Sequence, residues 1–319
     1  MKIKHKNIII LIFITLIVSL LSCRKVIDVK LPTKDGKIVI NSFFNDKEQL
    51  TINISNSLHI LDTMDIKFLD EAEVNVFENN AFKEKLTNIG YGNFIAKTFT
   101  PSKEFTYKVY AKYGDLKQAY SENIIPNPIK IISVDTSTVY VTGTNGMYQG
   151  NGGGGSYPQY QLKIKFKDPE NIRNYYSLKI YLKNQYYYYK NTSDTKYFDY
   201  STVYFTSNDL VIETFNNGES ALFSDDFLNG KEYNLLINID KYNFSFTDNH
   251  VLIELNSVSK DYYLYNKSYS LYQSVKGDPF SEPVQVYNNI VNGYGIFAGY
   301  SSDTLGIDLK GEIYYHVEK

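Results

Sequence analysis

The chain has 319 residues, among them 31 tyrosines, 19 phenylalanines, one cysteine and no tryptophan. Such a mixture of aromatic, aliphatic and charged residues excludes the collagen-like, coiled-coil and disordered classes, and a chain of this length can fold without disulfides. The formal net charge is −2, and residues 1–22 hold three of the lysines and no acid, so the remainder carries −5. A mildly acidic chain of this kind argues against a nucleic-acid partner.

The N-terminus has the pattern of a signal peptide. Three lysines precede an apolar run over residues 8–18, and Leu20-Leu21-Ser22-Cys23 follows, which resembles the lipobox of bacterial lipoproteins. The alternative is an uncleaved transmembrane anchor, but the run is slightly short for a span and the lone cysteine stands where a lipobox needs it. The lipobox implies that signal peptide 1–22 is removed and that Cys23 carries acyl chains such as palmitate. Several acyl chains hold stably in a lipid bilayer.

The first folded part is predicted to be a β-sandwich. Residues 23–35 read as a lipidated tether that ends at a Lys-Asp-Gly turn signal. Over residues 36–128, apolar residues then alternate with polar ones at a spacing of two, as in Leu50, Ile52 and Ile54. This spacing of strands is typical of an immunoglobulin-like or transthyretin-like sandwich, and Pro126-Asn127-Pro128 closes it.

Residues 129–319 are predicted to form a larger antiparallel β domain with one helix. The domain begins with a strand and a glycine-rich loop over residues 143–155. A strand pattern follows these glycines, so we do not read them as a nucleotide-binding loop. Near residues 259–276 the period changes, because four tyrosines recur at helical spacing after a capping Ser259, and Gly277 ends the run. The fold class is therefore mainly β, with a single helix.

The sequence carries no recognisable catalytic set. Apart from His5 in the signal peptide, the three histidines are isolated, and no nucleophile elbow, Walker loop or calcium loop is present. Acidic pairs such as Asp225-Asp226 leave a glycosidase-like activity open, because such an enzyme needs only two acids brought together by the fold. We expect no enzyme, no cofactor and no metal site.

The sharpest local anomaly is the run of Tyr186, Tyr187, Tyr188 and Tyr189. In a strand, alternate tyrosines point to opposite faces, so one pair is exposed even if the other is buried. One interpretation is a surface that stacks on a carbohydrate, a peptide or a partner protein. The other is a tyrosine-rich hairpin with ordinary cross-strand pairs.

Several blocks together resemble the Bacteroidota lipoproteins grouped as Domain of Unknown Function 4249. The blocks are Cys23 to Val29, Asp168-Pro169-Glu170, Asn174-Tyr175-Tyr176, Phe223 to Lys231, Ser259 to Tyr263, Asp278 to Pro283 and Asn288 to Phe297. The resemblance implies an outer-membrane lipoprotein encoded beside a TonB-dependent receptor and acting as its accessory. It carries over no catalytic residue, because the family has no established activity.

Two functions follow as expectations. The first is a non-enzymatic accessory that captures a nutrient or binds a TonB-dependent outer-membrane receptor. The second is a structural or adhesive envelope lipoprotein without a small-molecule ligand. Surface-exported lipoproteins of this phylum often carry acids soon after the cysteine, whereas Arg24 and Lys25 follow here and Asp28 is the first acid. Whether the protein faces the periplasm or the cell surface is therefore left open.

Overall fold

The computed structural model describes residues 36–58, 65–142, 156–190, 193–216, 218–241, 250–278, 280–309 and 313–316. For residues 142, 184–190, 193–197, 215–216 and 313–316 it describes the backbone alone. The described part consists of strands and one α-helix, so the mainly-β fold class predicted from the sequence is confirmed. Cys23 and the whole glycine-rich loop over residues 143–155 lie outside the described residues.

Most of the strands are short, and a few are long. In the first half of the chain they are β1 (Ile38–Phe44), β2 (Thr51–Asn56), β3 (Glu73–Glu78), β4 (Ala81–Lys85), β5 (Thr87–Gly90), β6 (Asn93–Ile95), β7 (Thr106–Lys112), β8 (Ala119–Ile124) and β9 (Ile131–Thr142). In the second half they are β10 (Ser156–Lys167), β11 (Tyr175–Lys190), β12 (Ser193–Thr202), β13 (Ile212–Asn216), β14 (Ser220–Ser224), β15 (Glu232–Asp240), β16 (His250–Val258), β17 (Tyr294–Asp308) and β18 (Ile313–His316).

One long sheet organises the described part of the chain. It has eleven strands, with the order β13-β14-β11-β16-β17-β1-β2-β6-β5, while β12 pairs with β11 and β18 with β17. Its pairs are antiparallel except β1 with β17, where Val39 lies opposite Tyr294 and Phe43 opposite Ala298. Two smaller sheets, β15-β10-β9 and β4-β3-β7-β8, complete the β-structure.

Two apolar cores lie between the long sheet and the smaller ones. The first joins β1, β2 and β6 to the four-stranded sheet, with Ile40, Ile52 and Val109 fully buried. The second joins β11, β14, β16 and β17 to the three-stranded sheet, with Ile164 and Ile253 fully buried. The predicted division into 36–128 and 129–319 stays a prediction: the cores fall mainly on either side of it, but the long sheet runs through both parts.

The helix α1 (Lys260–Val275) covers the opposite face of the long sheet. Ser259 caps it as predicted, because the Ser259 hydroxyl accepts a hydrogen bond from the Tyr262 amide at 3.3 Å. Tyr262 and Tyr263 are buried against the sheet, whereas Tyr269 is exposed. The tyrosine stripe of the helix is therefore core packing at its beginning and surface at its end.

The segment before β17 is a tight corner. Both the amide nitrogen and the carbonyl oxygen of Phe297 bond to the side-chain amide of Asn289, at 3.0 and 2.8 Å. Gly295 has a φ of +108°, and a Cβ at this position would stand 2.2 Å from the Ile40 oxygen, so only glycine fits beside β1. The corner fixes where β17 enters the sheet, and with it the register of the central strands.

Candidate functional site

The central strands β11, β16 and β17 carry a patch of polar residues on the face that α1 shares. Strand pairing sets them in rows across the sheet. One row is Ser177, Asn256 and Ser302; the next is Lys179, Glu254 and Thr304. We call these six residues, together with the flanking Tyr181 and Tyr300, the polar floor. Since side chains alternate along a strand, Leu178, Ile180 and Leu255 point to the opposite face, into the second apolar core. On β17 the intervening Asp303 is also buried there, and its carboxylate accepts from the Ile131 amide at 2.7 Å.

The polar floor is buried to an unusual degree for such residues. Ser177 and Asn256 are each 1% exposed, and Glu254 is 8% exposed. Carboxylates and amides are seldom buried in a protein unless they are hydrogen-bonded or paired. Half-buried Lys179, Tyr181 and Tyr300 surround them and reach the surface. The patch is therefore an enclosed polar layer edged by long amphipathic side chains, and we call the layer together with its edge the recess.

A chain of hydrogen bonds fixes the bottom of the polar floor. The Asn256 side-chain nitrogen donates to the Glu254 carboxylate at 2.9 Å, and the Ser302 hydroxyl donates to the Asn256 oxygen at 2.5 Å. Lys179 stands directly opposite Glu254 in the strand register, so opposite charges are cross-strand neighbours. These contacts hold the Glu254 and Asn256 side chains in fixed positions, which is what a recognition site requires.

The phenols at the edge are neutral hydrogen-bonding groups. Burial raises the pKa of Tyr262 to about 12, and the nearby Glu254 carboxylate acts in the same direction. Burial also raises the pKa values of Tyr181 and Tyr300, again with Glu254 adding to the effect. A phenol with a raised pKa keeps its proton at neutral pH. The side chains around the polar floor therefore include protonated phenols, of which Tyr262 is buried and Tyr300 already accepts a hydrogen bond from Asn45.

Helix α1 forms one wall of this recess. The Tyr262 ring lies 4.7 Å from the Phe43 ring and 5.9 Å from the Tyr300 ring, measured between centroids. The Asn45 side-chain amide donates to the Tyr300 hydroxyl at 2.9 Å. The wall thus joins β1, β17 and α1, which are far apart in the sequence.

The four tyrosines singled out in the sequence lie on β11 beyond the polar floor. The backbone of Tyr186 to Tyr189 pairs with Lys196, Tyr197 and their neighbours in β12. Their side chains lie outside the described residues, so the surface formed by Tyr186, Tyr187, Tyr188 and Tyr189 stays a prediction. Among the described side chains of this strand, Ser177, Lys179 and Tyr181 belong to the polar floor.

A second polar cluster gathers several of the sequence blocks that carry the family resemblance. Arg173 bonds to Asp226 and lies 3.1 Å from the Asp225 carboxylate, while the Asn174 amide donates to Asp225 at 2.8 Å. Buried Asp168 accepts from the Gly230 amide at 2.9 Å and from the Tyr176 hydroxyl. The cluster fastens the turn after β14 to the start of β11. Asp225 and Asp226 are thereby both engaged with Arg173.

Asp168 and Asp226 respond to this cluster in opposite ways. Hydrogen bonding to Arg173 lowers the pKa of Asp226 to about 2. Burial raises the pKa of Asp168, and the neighbouring Asp225 carboxylate adds to the effect. The difference follows from position, since Asp226 is on the surface beside a cation and Asp168 is enclosed.

Neither a metal centre nor a spanning helix is found in the part of the chain that the structure describes. No three histidine, cysteine, aspartate or glutamate residues of that part are placed to hold a metal ion together. No helix within the same ranges is long and apolar enough to cross a membrane.

Comparison with known proteins identifies the family. The model of a domain of unknown function, DUF4249, matches residues 24–305, which is most of the chain. The chain belongs to the DUF4249 family. Neither a curated protein nor a solved structure matches it. The DUF4249 match covers the polar floor, α1 and the Arg173 cluster, but its description names no activity.

The polar floor of this DUF4249 protein was missed in the sequence. The strand around Lys179 and the strand around Glu254 each alternate apolar and polar residues, which normally indicates a water-facing side. These two strands differ from ordinary water-facing strands because they lie in the middle of one sheet. The part of β17 from Ser302 to Thr304 lies there as well. That neighbourhood comes from strand order, which a single sequence does not show.

Proposed function

We propose that this DUF4249 protein is an outer-membrane lipoprotein, anchored through acylated Cys23, that serves a TonB-dependent receptor as a non-enzymatic accessory. In this role it captures a neutral, hydroxyl-rich ligand such as an oligosaccharide on the polar floor. The observation that carries the proposal is the fixed arrangement of Glu254, Asn256 and Lys179 at the bottom of a recess edged by phenols.

The chemistry of the recess favours a carbohydrate over a charged ligand. Lys179 and Glu254 oppose each other, so the patch has little net charge to attract an ion. Carboxylate, amide and phenol groups form hydrogen bonds with sugar hydroxyls, and aromatic rings offer flat apolar area to the sugar ring. Arginine, which suits phosphate and carboxylate ligands best, is present only at Arg24 and Arg173, and the latter is engaged by two aspartates.

The surface for a receptor is best sought at the end of α1. Beyond Tyr265 no residue of the helix is buried, and Phe280 in the following loop is 95% exposed. The Asp278 carboxylate holds this loop, accepting from the Phe280 amide at 3.0 Å and the Ser281 hydroxyl at 2.6 Å. An ordered turn that presents a bare aromatic side chain has the character of an interface residue.

Ligand capture is tested with three variants and a panel of neutral oligosaccharides, measured by titration calorimetry. We expect Glu254→Gln and Lys179→Met to weaken the best-binding oligosaccharide at least about tenfold, because each loses a hydrogen-bonding partner worth roughly 1.4 kcal/mol or more. Lys163→Met, which changes an exposed lysine of β10, should bind like the unmodified protein. Binding to peptides alone, or equal binding by all variants, would contradict the carbohydrate proposal.

The receptor association is tested separately by mild solubilisation of outer membranes and recovery through a C-terminal tag. We expect a TonB-dependent receptor to be enriched with the unmodified protein and reduced with Phe280→Ser. Recovery of the protein alone, with its acyl chains intact, would contradict the accessory role.

A structural or adhesive envelope role is the second candidate. The observation in its favour is that the hydrogen bonds of Asn256 with Glu254 and Ser302 are internal to the protein. On this alternative the polar floor stabilises the sheet, and its variants change the unfolding free energy without any effect on ligand binding.

A further inference from the structure

The chain enters its folded part at one end of the first sandwich. Just before β1, the Lys37 amide donates to the Ser57 hydroxyl at 2.9 Å, and the Ser57 amide donates to the Lys37 oxygen at 2.8 Å. These two bonds fasten Lys37, at the start of the folded part, to the residue that follows β2. We call this end of the molecule the entry end.

Strand register brings three further loops to the entry end. The last residue of β2, Asn56, lies opposite Ile38 and bonds to the Lys67 oxygen at 2.9 Å. The Ile54 amide donates to the Gly92 oxygen at 2.7 Å, which places the turn between β5 and β6 alongside. The first residue of β17, Tyr294, lies opposite Val39.

Large apolar side chains are exposed together at the entry end. They are Leu58, Ile66, Phe68, Ile89, Tyr91 and Tyr294, each at least 39% exposed. We call these six residues the aromatic rim. Single exposed apolar residues are ordinary, but several on adjacent loops at one end indicate a contact surface.

The turn that carries Tyr91 is built to present this side chain. Tyr91 has a φ of 54°, a left-handed conformation that residues with a side chain seldom adopt. The Asp70 carboxylate accepts from the Gly92 amide at 2.6 Å, and the Asn53 side chain donates to the Tyr91 oxygen at 3.1 Å. The Tyr91 ring, 78% exposed, stands edge-on to Phe68 with centroids 6.4 Å apart. The backbone conformation of the turn therefore directs the Tyr91 side chain outward.

We propose that the aromatic rim rests on the lipid surface of the membrane that holds the anchor, an inference that depends on the lipidation of Cys23 proposed above. Twelve residues, Arg24 to Asp35, separate the acylated cysteine from Gly36 at the entry end. They can span at most about 43 Å, so an acylated Cys23 would keep the entry end within that distance of the membrane. Phenol rings and aliphatic side chains are the groups that settle at the boundary between headgroups and acyl chains.

Lysines at the same end suit the headgroup region. The Lys37 ammonium lies 4.5 Å from the centre of the Tyr294 ring, and the Lys67 ammonium lies 5.9 Å from that of Tyr113. An amphipathic lysine can keep its stem on an aromatic surface while its charge stays among polar headgroups.

This orientation also positions the polar floor. Ser302 lies eight residues along β17 from Tyr294, a distance of about 26 Å in an extended strand. With the rim on the bilayer, the recess would lie at a set distance from the lipid surface. The tether alone would not fix that distance.

The absence of tryptophan from the chain makes a direct test available. Tyr91→Trp introduces a single fluorescent probe at the rim, and Tyr140→Trp on β9, where the tyrosine is 72% exposed, is its matched control. Each mature lipidated variant is reconstituted into vesicles of phosphatidylethanolamine and phosphatidylglycerol that contain brominated phosphatidylcholine. We expect brominated lipid to quench the Tyr91→Trp emission and acrylamide to quench it several-fold less than in the control, which should respond to acrylamide alone.

Each other outcome has a defined meaning. Equal acrylamide quenching of both probes, without quenching by brominated lipid, would overturn the proposal. The Tyr91→Trp probe could instead be protected from acrylamide only at a high protein-to-lipid ratio, again without quenching by brominated lipid. That result would overturn the proposal and show that a second copy of the chain covers the rim. Failure of the protein to float with vesicles, or a mass without acyl chains at Cys23, would instead refute the anchoring on which it depends. Equal thermal unfolding of the two variants confirms that both are folded.

Discussion

The two faces of β11, β16 and β17 have opposite chemistry although one backbone ladder forms both. On one face, Ile180, Ile253 and Leu305 are buried in an apolar core. On the other, Lys179, Glu254 and Thr304 form a row that is also largely enclosed. An enclosed polar face costs desolvation free energy that an apolar face does not. On the proposed function, burial on the second face serves recognition rather than stability, and the first three predictions below test this difference.

The largest effect is expected on the apolar face. Ile253 is fully buried in the second core, so Ile253→Ala removes packed methyl and methylene groups and leaves a cavity. We expect the unfolding free energy to fall by about 2–5 kcal/mol, with oligosaccharide binding unchanged where the protein is still folded. Chemical denaturation and calorimetry measure the two quantities. A loss of binding by the folded variant would show that the two faces are not separable.

A smaller loss is expected on the polar face. Asn256→Leu removes the donor to Glu254 and the acceptor of Ser302, so both partners lose a hydrogen bond in a buried place. We expect a loss of about 1–3 kcal/mol together with loss of oligosaccharide binding. Unchanged binding with lowered stability would favour the structural alternative. Unchanged binding with increased stability would contradict both roles of this row.

The helix wall gives a third comparison. Ser259→Ala removes the cap of α1, and we expect a loss of about 1 kcal/mol. Ser274→Ala, near the other end of the same helix and exposed, should change stability by less than about 0.5 kcal/mol. Because the capped end carries Tyr262 beside the recess, binding should weaken in the first variant only. Thermal and chemical unfolding of the pair, followed by titration, measures this.

The smallest effect concerns pH and lies outside the recess. The folded pKa of Asp226 is about 2, below its ordinary value of 3.8, because of Arg173. The unfolded chain therefore binds the proton first, so this stabilisation is present above about pH 4 and is lost as the pH falls towards 2. Arg173→Gln should flatten the fall in unfolding free energy over this window and leave binding at pH 7 unchanged. If the unfolding free energy of the variant falls equally steeply at acidic pH, the loss of stability comes from other carboxyl groups.

Much of the fold was open to prediction from local patterns. The Ser259 cap and the helical spacing from Tyr262 predict α1 almost to its ends, and alternation around Ile52 or Ile253 predicts strands that are present. Such features depend on neighbours within about four residues, so a single sequence displays them. The aromatic rim was harder to foresee, because Phe68, Tyr91 and Tyr294 meet only through strand pairing.

By itself, the sequence determined the mainly-β class, the position of the one described helix and membership of the DUF4249 family. Tertiary structure decided that Lys179, Glu254 and Thr304 stand in one row, and that β1 pairs in parallel with a strand more than 250 residues away. The physical reason is that alternation reports which residues share a face but not which strands are neighbours. Which strands lie side by side is set by packing and by corners such as that at Gly295. The recess results from this strand order.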